Sequence, residues 1–342
     1  MEVEDFAGDG VYSGTRSALY TAGLVQLLEI GGKRGARSAE AEADKARVRA
    51  DYEVRRREVL ASVSEDFVDA LAAKEAVALA ERELALAENG LESVDGQITA
   101  GRATDSQRKL AAMAVTEARL ELRTAKRGFD RSLGQLASLW GGAKPSAVQG
   151  LLAPPSASLP SRGRLAAALD AHPEVASAKR REEQATARLA AARAGRYPDV
   201  ELGIGARHDN ASGDGSLVVA ASVPLPIFES GGNAVKAAQA ETSAAAMETA
   251  AARLDLRRRF EAAWADYADG HDAAMTVENE LMPGAREVFG TIDESYRLGR
   301  TGFLEWLEAR RQLAAANRRW LEARRDYQSA AATLQALTGL SL

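Results

Sequence analysis

Cysteine is absent from the 342-residue chain. Its absence excludes disulfides, zinc–thiolate sites, iron–sulfur clusters and cysteine nucleophiles. Aromatic residues are also scarce, at 5%, whereas alanine, glutamate and arginine are abundant. This composition argues against an ordinary globular core and indicates long packed helices. The sequence has no run of about 18 apolar residues, so it predicts no transmembrane helix.

An excess of basic residues is missing too. The formal net charge is −5 and the isoelectric point is about 5.5, and the arginines are interleaved with Asp and Glu, as on solvated helix surfaces. We therefore predict no nucleic-acid partner. The residues after Met1, EVEDFAGDG, do not form a signal peptide, so we expect the natural protein to start upstream of this methionine.

Motifs for catalysis or cofactor binding are missing as well. The phrase GIGARHDN lacks the third glycine and the following helix of a dinucleotide-binding loop, and no serine lies in a nucleophile elbow. His172, His208 and His271 are far apart in the chain and lack the spacing of metal ligands. We therefore predict no enzyme activity, no cofactor and no metal site.

What the sequence does contain is an internal duplication with a period of about 200 residues. Two pairs of residues recur at spacings of 200 and 198 residues. They are Gly31-Gly32 with Gly231-Gly232, and Gly101-Arg102 with Gly299-Arg300. In both copies a strand leads through the double glycine into a long alanine-rich helix.

The strands alternate between apolar and small or polar residues. The segments DVELGIGARHD and SLVVAASVPLPI are each about ten residues long, which is the length of a tilted membrane-spanning strand. In the first copy, YTAGLVQLLEI is the second strand and EVEDF is the remnant of the first. Four strands cannot close a barrel, and open strand edges are not tolerated in lipid. The strands therefore belong either to a barrel shared by several chains or to a hairpin on a soluble core.

The first repeat is predicted over 1–141. It has a clipped strand pair over 1–30 and a long helical hairpin over 33–140, whose tip lies near 99–103. Apolar residues at helical spacing and the absence of proline from Lys33 to Thr99 indicate a rod of about 100 Å. A Pro/Gly-rich equatorial linker follows over 142–163.

The second repeat is predicted over 164–342. It has a helix over 164–194, a strand pair over 199–228 and a hairpin over 233–338, whose tip lies near 298–302. We expect Pro283 to kink the descending helix of this hairpin.

Two phrases carry a resemblance to a known family. The tip segment YRLGRTGFLEWLEA (296–309) resembles the TolC-like outer-membrane efflux proteins, or outer membrane factors, and LEIGGKR (28–34) resembles their CzcC-like heavy-metal branch. The resemblance covers essentially the whole chain. It implies a fold that is mainly α with a small β part, in which long coiled-coil hairpins form an α-helical barrel. It also implies a homotrimer whose four strands per chain build a 12-stranded transmembrane β-barrel.

The resemblance further implies a location and a function. The protein would lie in the outer membrane of a Gram-negative bacterium, in contact with its lipid, and extend into the periplasm. There it would dock on a periplasmic adaptor (membrane fusion) protein linked to an inner-membrane RND pump, as the passive duct of a tripartite efflux system for divalent heavy-metal cations. Drugs or type I secreted proteins are alternative substrates, and a soluble coiled-coil scaffold is an alternative of a different class.

Candidate sites follow from the same resemblance. The helix tips resemble adaptor-docking turns, and the double glycines resemble strand-to-helix corners. The tip residues are Gly101, Arg102, Leu298, Gly299, Arg300 and Thr301, and the corner residues are Gly31, Gly32, Gly231 and Gly232. A glycine at a helix end also has a local reason, because it adopts left-handed geometry without strain.

Acidic residues beside the second tip form the other candidate site. Glu305 and Glu308 are three residues apart and share one helix face, and Tyr296 matches the gate aromatic of the family. Threefold symmetry would turn the two glutamates into two carboxylate rings, which favour cations. A solvated helix face would explain the same two residues.

Overall fold

The computed structural model describes residues 1–225, 227 and 230–342, without the side chain of Val11. The chain is mainly α-helical with one small sheet. The helices are α1 (Lys33–Thr99), α2 (Asp105–Ser138), α3 (Arg162–Ala168), α4 (Pro173–Ala194), α5 (Gly232–Thr276), α6 (Met282–Arg297) and α7 (Phe303–Thr338). Within the described residues, no helix is both long and apolar enough to cross a membrane.

The sheet has four antiparallel strands in the order β1 (Glu2–Glu4), β2 (Leu19–Leu28), β3 (Val200–Asp209) and β4 (Gly215–Ser222). The central pairing of β2 with β3 joins the two sequence repeats. β4 ends at Ser222, before the end of the predicted strand pair at 228, because proline at 224 cannot donate to a ladder. Pro226 and Phe228 of that predicted pair lie outside the described residues.

The strand register places a row of large apolar side chains on one face of the sheet, whereas the other face is mixed and includes polar residues as well as Val25 and Leu27. Leu24 pairs with Ile204, and Ile204 pairs with Val219, so three large apolar side chains form a row across the sheet. These side chains are 79%, 57% and 74% exposed in the single chain. On the opposite face, Nε of Arg207 donates a 3.0 Å hydrogen bond to Oγ1 of Thr21. The alternation in the sequence therefore produces a two-faced sheet, as the side-chain period of a strand requires.

The chain divides into two compact units that do not follow the two repeats. One unit consists of Met1–Tyr52 and Glu174–Ala252, and the other of Glu53–Pro173 and Arg253–Leu342. Each repeat contributes to both units, because the helices α1 and α5 each supply residues to both. The repeat boundaries predicted from the sequence thus describe the duplication and not the packing.

Two interruptions of helices differ from the sequence prediction. The predicted helix over 164–194 is broken into α3, a 3₁₀ turn over Leu169–Ala171 and α4. His172 has an extended ψ of 139°, because the ring of the following Pro173 disfavours helical geometry in the preceding residue. Near Pro283, the descending helix contains a π-helical segment over Val277–Leu281, which accommodates the disruption that the proline causes.

The predicted linker is irregular but firmly packed within its unit. Leu152 is only 2% exposed and joins a cluster with Leu71, Leu133 and Leu136 of the first hairpin. The backbone N–H of Leu152 also donates a 2.7 Å hydrogen bond to Oε1 of Glu75. Burial of an aliphatic side chain and satisfaction of a backbone donor both stabilise this position.

Candidate functional site

The first helix tip ends α1 with a left-handed glycine. Gly101 has φ +68°, its N–H donates to the carbonyl of Ile98 at 2.8 Å, and the N–H of Arg102 donates to the carbonyl of Gln97 at 2.8 Å. This pair of bonds is a Schellman motif, which satisfies carbonyls that the helix end would leave free. Thr104 then begins α2 with a capping box.

The second tip repeats the same hydrogen bonds. Gly299 has φ +73° and donates to Tyr296 at 2.9 Å, while the N–H of Arg300 donates to Ser295 at 2.9 Å. The two Gly-Arg pairs found in the sequence thus occupy equivalent positions in the structure. The turn geometry accounts for both glycines by itself, but it does not require an arginine after either of them.

The side chains around the tips are available to a partner. Leu298 is 59% exposed, and both Arg102 and Arg300 are exposed. Neither arginine forms an ion pair or a side-chain hydrogen bond with another residue that the structure describes. An exposed leucine beside an unpaired guanidinium is a small surface of mixed apolar and cationic character.

Tyr296 lies in the interior and not on the exposed face of α7. It is 3% exposed, and its ring stacks on Trp306 with centroids 5.5 Å apart. Burial raises the pKa of Tyr296, and its buried hydroxyl oxygen has no hydrogen-bond partner among the residues that the structure describes. The structure therefore places Tyr296 in the interior, whereas Glu305 and Glu308 are exposed, and its role as a gate aromatic stays a prediction.

An aromatic core explains why Tyr296 is buried. Trp306 packs directly on Gly90 of α1, where an added Cβ would lie 2.8 Å from Cζ3 of the indole. The Nε1 atom of Trp306 donates a 2.8 Å hydrogen bond to Oδ1 of Asp293, and Phe303 stacks on the same indole at 5.9 Å. This core fixes α6 and α7 against α1 near the tip. The phrase FLEW was the available signal for it in the sequence.

Glu305 and Glu308 are exposed on α7. Gln312 donates a 3.3 Å hydrogen bond to Oε1 of Glu308. The two carboxylates share a face one turn beyond the tip, as their spacing predicts. Their exposure leaves them free to face either solvent or a lumen formed with other copies.

The double glycines form corners with unequal roles. Gly31, Gly32 and Gly231 have φ of +71°, +78° and +69°, a region that residues with a Cβ rarely adopt. Gly232 instead begins α5, so three of the four predicted corner glycines have a positive φ.

The structure contains a cavity among α1, α2 and α7 that was not predicted from the sequence. It contains three carboxylates and three guanidinium groups, from Glu83, Glu117, Glu121, Arg310, Arg311 and Arg318. The pKa of Glu83 is raised to about 7, mainly by burial and then by the charge of the neighbouring Glu121, while the charges of Arg318 and Arg310 oppose this shift. Residues from three separate helices meet here, so no local pattern could reveal the cavity.

Two of the three histidines are buried inside the chain. His172 and His271 are 4% and 7% exposed, and Nε2 of His271 lies 2.8 Å from the carbonyl oxygen of Ser156, to which it donates. Within the described residues, no group of three or more His, Cys, Asp or Glu side chains is placed to hold a metal ion.

The duplicated hairpins, the four-stranded two-faced sheet and the paired tips define a class of envelope channel proteins. A family model described as outer membrane efflux protein matches residues 7–142 and 165–340. The chain belongs to this family, whose members are efflux channels of the outer membrane and not enzymes. The predicted TolC-like fold, mainly α with a small sheet, is confirmed.

Individual relatives agree with this assignment. The chain is 29% identical over 324 residues to the cobalt-zinc-cadmium resistance protein CzcC of Cupriavidus metallidurans, covering 93% of this chain and 77% of CzcC. It superposes on a solved structure of CusC with a TM-score of 0.75 at 19% identity, covering 94% of this chain and 78% of the other. The open state of the MtrE outer membrane channel of Neisseria gonorrhoeae gives a TM-score of 0.76 at 21% identity, covering 94% and 76%. The last two likenesses show the fold alone.

Proposed function

We propose that this protein is the outer-membrane duct of a tripartite efflux system that exports divalent heavy-metal cations. One observation supports it most directly: the apolar row of Leu24, Ile204 and Val219 is in register and exposed. Exposed apolar surface of this extent needs a cover, and lipid covers it on one face while the polar face remains in water. A soluble scaffold would have no reason to place three large apolar residues in one exposed row.

Closure of the sheet requires more than one chain. Its outer strands are β1, with three residues, and β4, and in a single chain they present unpaired backbone groups that lipid cannot satisfy. Three copies would supply 12 strands by the count of four per chain. A barrel of that size leaves a lumen, whereas eight strands from two copies would be filled by side chains. We therefore assign a homotrimer.

The substrate assignment rests on the similarity to CzcC and on the charge of the second hairpin. In a trimer, Glu305 and Glu308 would form two carboxylate rings close to the tip, and such rings favour cations over anions. Tyr296 would support these rings only indirectly, by packing α6 against Trp306 of α7. Selection among metals would come from the pump, because a tight site would slow a passive duct.

The tips would dock on a periplasmic adaptor that connects the duct to an inner-membrane RND pump. Leu298 and Arg300 offer apolar and cationic contacts at the second tip, and Arg102 offers a cation at the first. The left-handed turn glycines fix the backbone that carries these side chains, and Thr301 lies next to Arg300 in the second turn. The equal geometry of the two tips would let one trimer present six similar docking points.

Complementation of a deletion strain tests this function. Loss of the gene should sensitise the native bacterium to cobalt, zinc or cadmium, and the wild-type gene should restore resistance. The double variant E305Q/E308Q should restore it less well, whereas Glu322→Gln, an exposed acid farther along α7, should restore it fully. Unchanged metal resistance together with new sensitivity to organic drugs would instead favour the drug-export alternative.

A further inference from the structure

A hollow lies where the strands turn into the long helices. It is lined by both glycine corners and by the end of α4, and its volume is about 770 Å³, within the range of small-molecule sites. The lining residues used below are Gly31, Arg193, Arg196, Tyr197 and Ser230.

Close contacts hold the end of α4 against both corners. A Cβ added to Gly31 would lie 2.7 Å from Cγ of Tyr197, and one added to Gly231 would lie 3.2 Å from Cγ of Arg196. In addition, Nε of Arg196 donates a 3.3 Å hydrogen bond to the carbonyl of Ser230. The two corners therefore fix Arg196 and the end of α4, the helix that carries Arg193.

Charge pairing around the hollow leaves an excess of guanidinium groups. The carboxylate of Asp199 pairs with Lys33 at 2.7 Å, and that of Glu29 pairs with Arg37. Arg193 and Arg196 have no acidic partner among the described residues. The hollow is therefore complementary to an anion, and guanidinium groups bind phosphate oxygens especially well because their donors form a planar fork.

Exposed apolar side chains directly precede the Gly31 corner of the hollow in the chain. Leu28 and Ile30 are each 42% exposed, and Tyr197 is 57% exposed. An aromatic ring and arginines at the border of an apolar belt are typical of the level of lipid headgroups. If the strands span lipid as proposed above, the hollow lies at the headgroup level of the periplasmic leaflet.

We infer that the hollow binds the phosphate group of an anionic phospholipid, with Arg193 and Arg196 as its donors. The inference rests on the proposed membrane insertion of the sheet. The lipid's acyl chains would lie along the apolar side of the strands, beside Leu28 and Ile30. The guanidinium groups would recognise the phosphodiester and discriminate against headgroups whose own cation already neutralises it.

Lipid binding by the detergent-purified protein tests this inference. Native mass spectrometry with titrated phosphatidylglycerol should show tighter binding than with phosphatidylcholine. The double variant R193Q/R196Q should weaken phosphatidylglycerol binding by about tenfold or more, since charged hydrogen bonds are lost. R193K/R196K should weaken it less, and Arg180→Gln, an exposed arginine of α4 that pairs with Glu183, should leave it unchanged.

Three outcomes would count against the inference. Equal phosphatidylglycerol affinity of the wild type and R193Q/R196Q would overturn the site, and inorganic phosphate binding as tightly as the lipid would overturn the lipid as its source. Flotation of the same proteins with vesicles in a density gradient separates the two proposals. If the wild type floats normally but R193Q/R196Q binds phosphatidylglycerol as tightly as the wild type does, only the lipid site is contradicted. If the wild type fails to float, membrane insertion itself is contradicted.

Discussion

Arg324 of α7 forms a two-pronged ion pair with Glu278 of the π-helical segment. Its Nε donates to Oε2 and its Nη2 donates to Oε1, both at 3.0 Å. Oε2 also accepts a 2.8 Å hydrogen bond from Nε1 of Trp320, and Nη1 of Arg324 donates to the carbonyl of Leu152 at 3.2 Å. The π-helical turn thus places the Glu278 carboxylate within hydrogen-bond distance of α7. Arg324 in turn connects this carboxylate to the linker.

Removing the acidic partner should be costly, because Arg324 is only 14% exposed. We expect Glu278→Ala to lower the free energy of unfolding by about 2 kcal/mol, since it leaves a buried charge without a partner. Glu58→Ala, which removes an exposed i,i+3 pair with Arg55, should change it by less than about 0.5 kcal/mol. Urea unfolding of both variants measures the difference. Equal losses would show that the π-helical turn has no special structural role.

The raised pKa of Glu83 should make stability depend on pH. Its pKa in the folded protein is about 7, above the ordinary value of 4.5, so the unfolded chain releases this proton first as the pH rises. Folding therefore loses stability between about pH 4.5 and pH 7. Glu83→Gln should gain about 1 kcal/mol relative to the wild type between pH 5 and pH 8, after allowance for solvent screening.

Unfolding curves at the two pH values measure this gain. Glu88→Gln is the matched control, because Glu88 lies on the same helix but pairs with Arg119 at the surface. A pH-independent effect of Glu83→Gln would mean that the carboxyl does not retain its proton near neutral pH.

Docking through the tips can be separated from folding. The double variant L298S/R300E should weaken capture of the cognate adaptor by at least about tenfold, because it removes an apolar and a charged contact. Its thermal unfolding should stay unchanged, since both side chains are exposed. Arg319→Glu, on an exposed part of α7 away from the tip, serves as the charge-matched control. Full adaptor binding by L298S/R300E would exclude this tip from the docking surface.

An arginine substituted into the apolar row of the sheet should impair membrane insertion, whereas an arginine on the opposite face should not. Val219→Arg places a cation in the exposed apolar row and should destabilise membrane insertion by about 2–4 kcal/mol. Ser222→Arg lies on the opposite face of the same strand, across from Glu201, and should be tolerated. Quantification of each variant in the outer-membrane fraction checks this. Equal yields would favour the soluble scaffold.

Local patterns predicted most of the architecture. The Gly-Arg pairs located both tips because a left-handed glycine is a requirement of a single turn, and alternation located β2, β3 and β4 because the side-chain period of a strand is fixed. The predicted hairpin starts at residue 33 and has its tip near 99–103, and the observed helix α1 runs over Lys33–Thr99. In each case the signal lies within a few neighbouring residues.

Features that depend on contacts between distant segments could not be predicted in this way. Tyr296 matched a family position, yet its burial depends on Trp306 and on the small Gly90 of another helix. The pKa of Glu83 depends on Glu121 and Arg318, which come from two other helices. The break at His172 had a local signal in Pro173, but the helical pattern on both sides of it concealed the interruption.

The number of copies in the native particle tests the central claim most directly. Protein extracted in detergent from the outer-membrane fraction should have three times the mass of its denatured chain when measured by native mass spectrometry. Such a particle would supply the 12 strands that the open sheet requires. Recovery of the full-length protein as a single chain from the soluble periplasm would contradict the account.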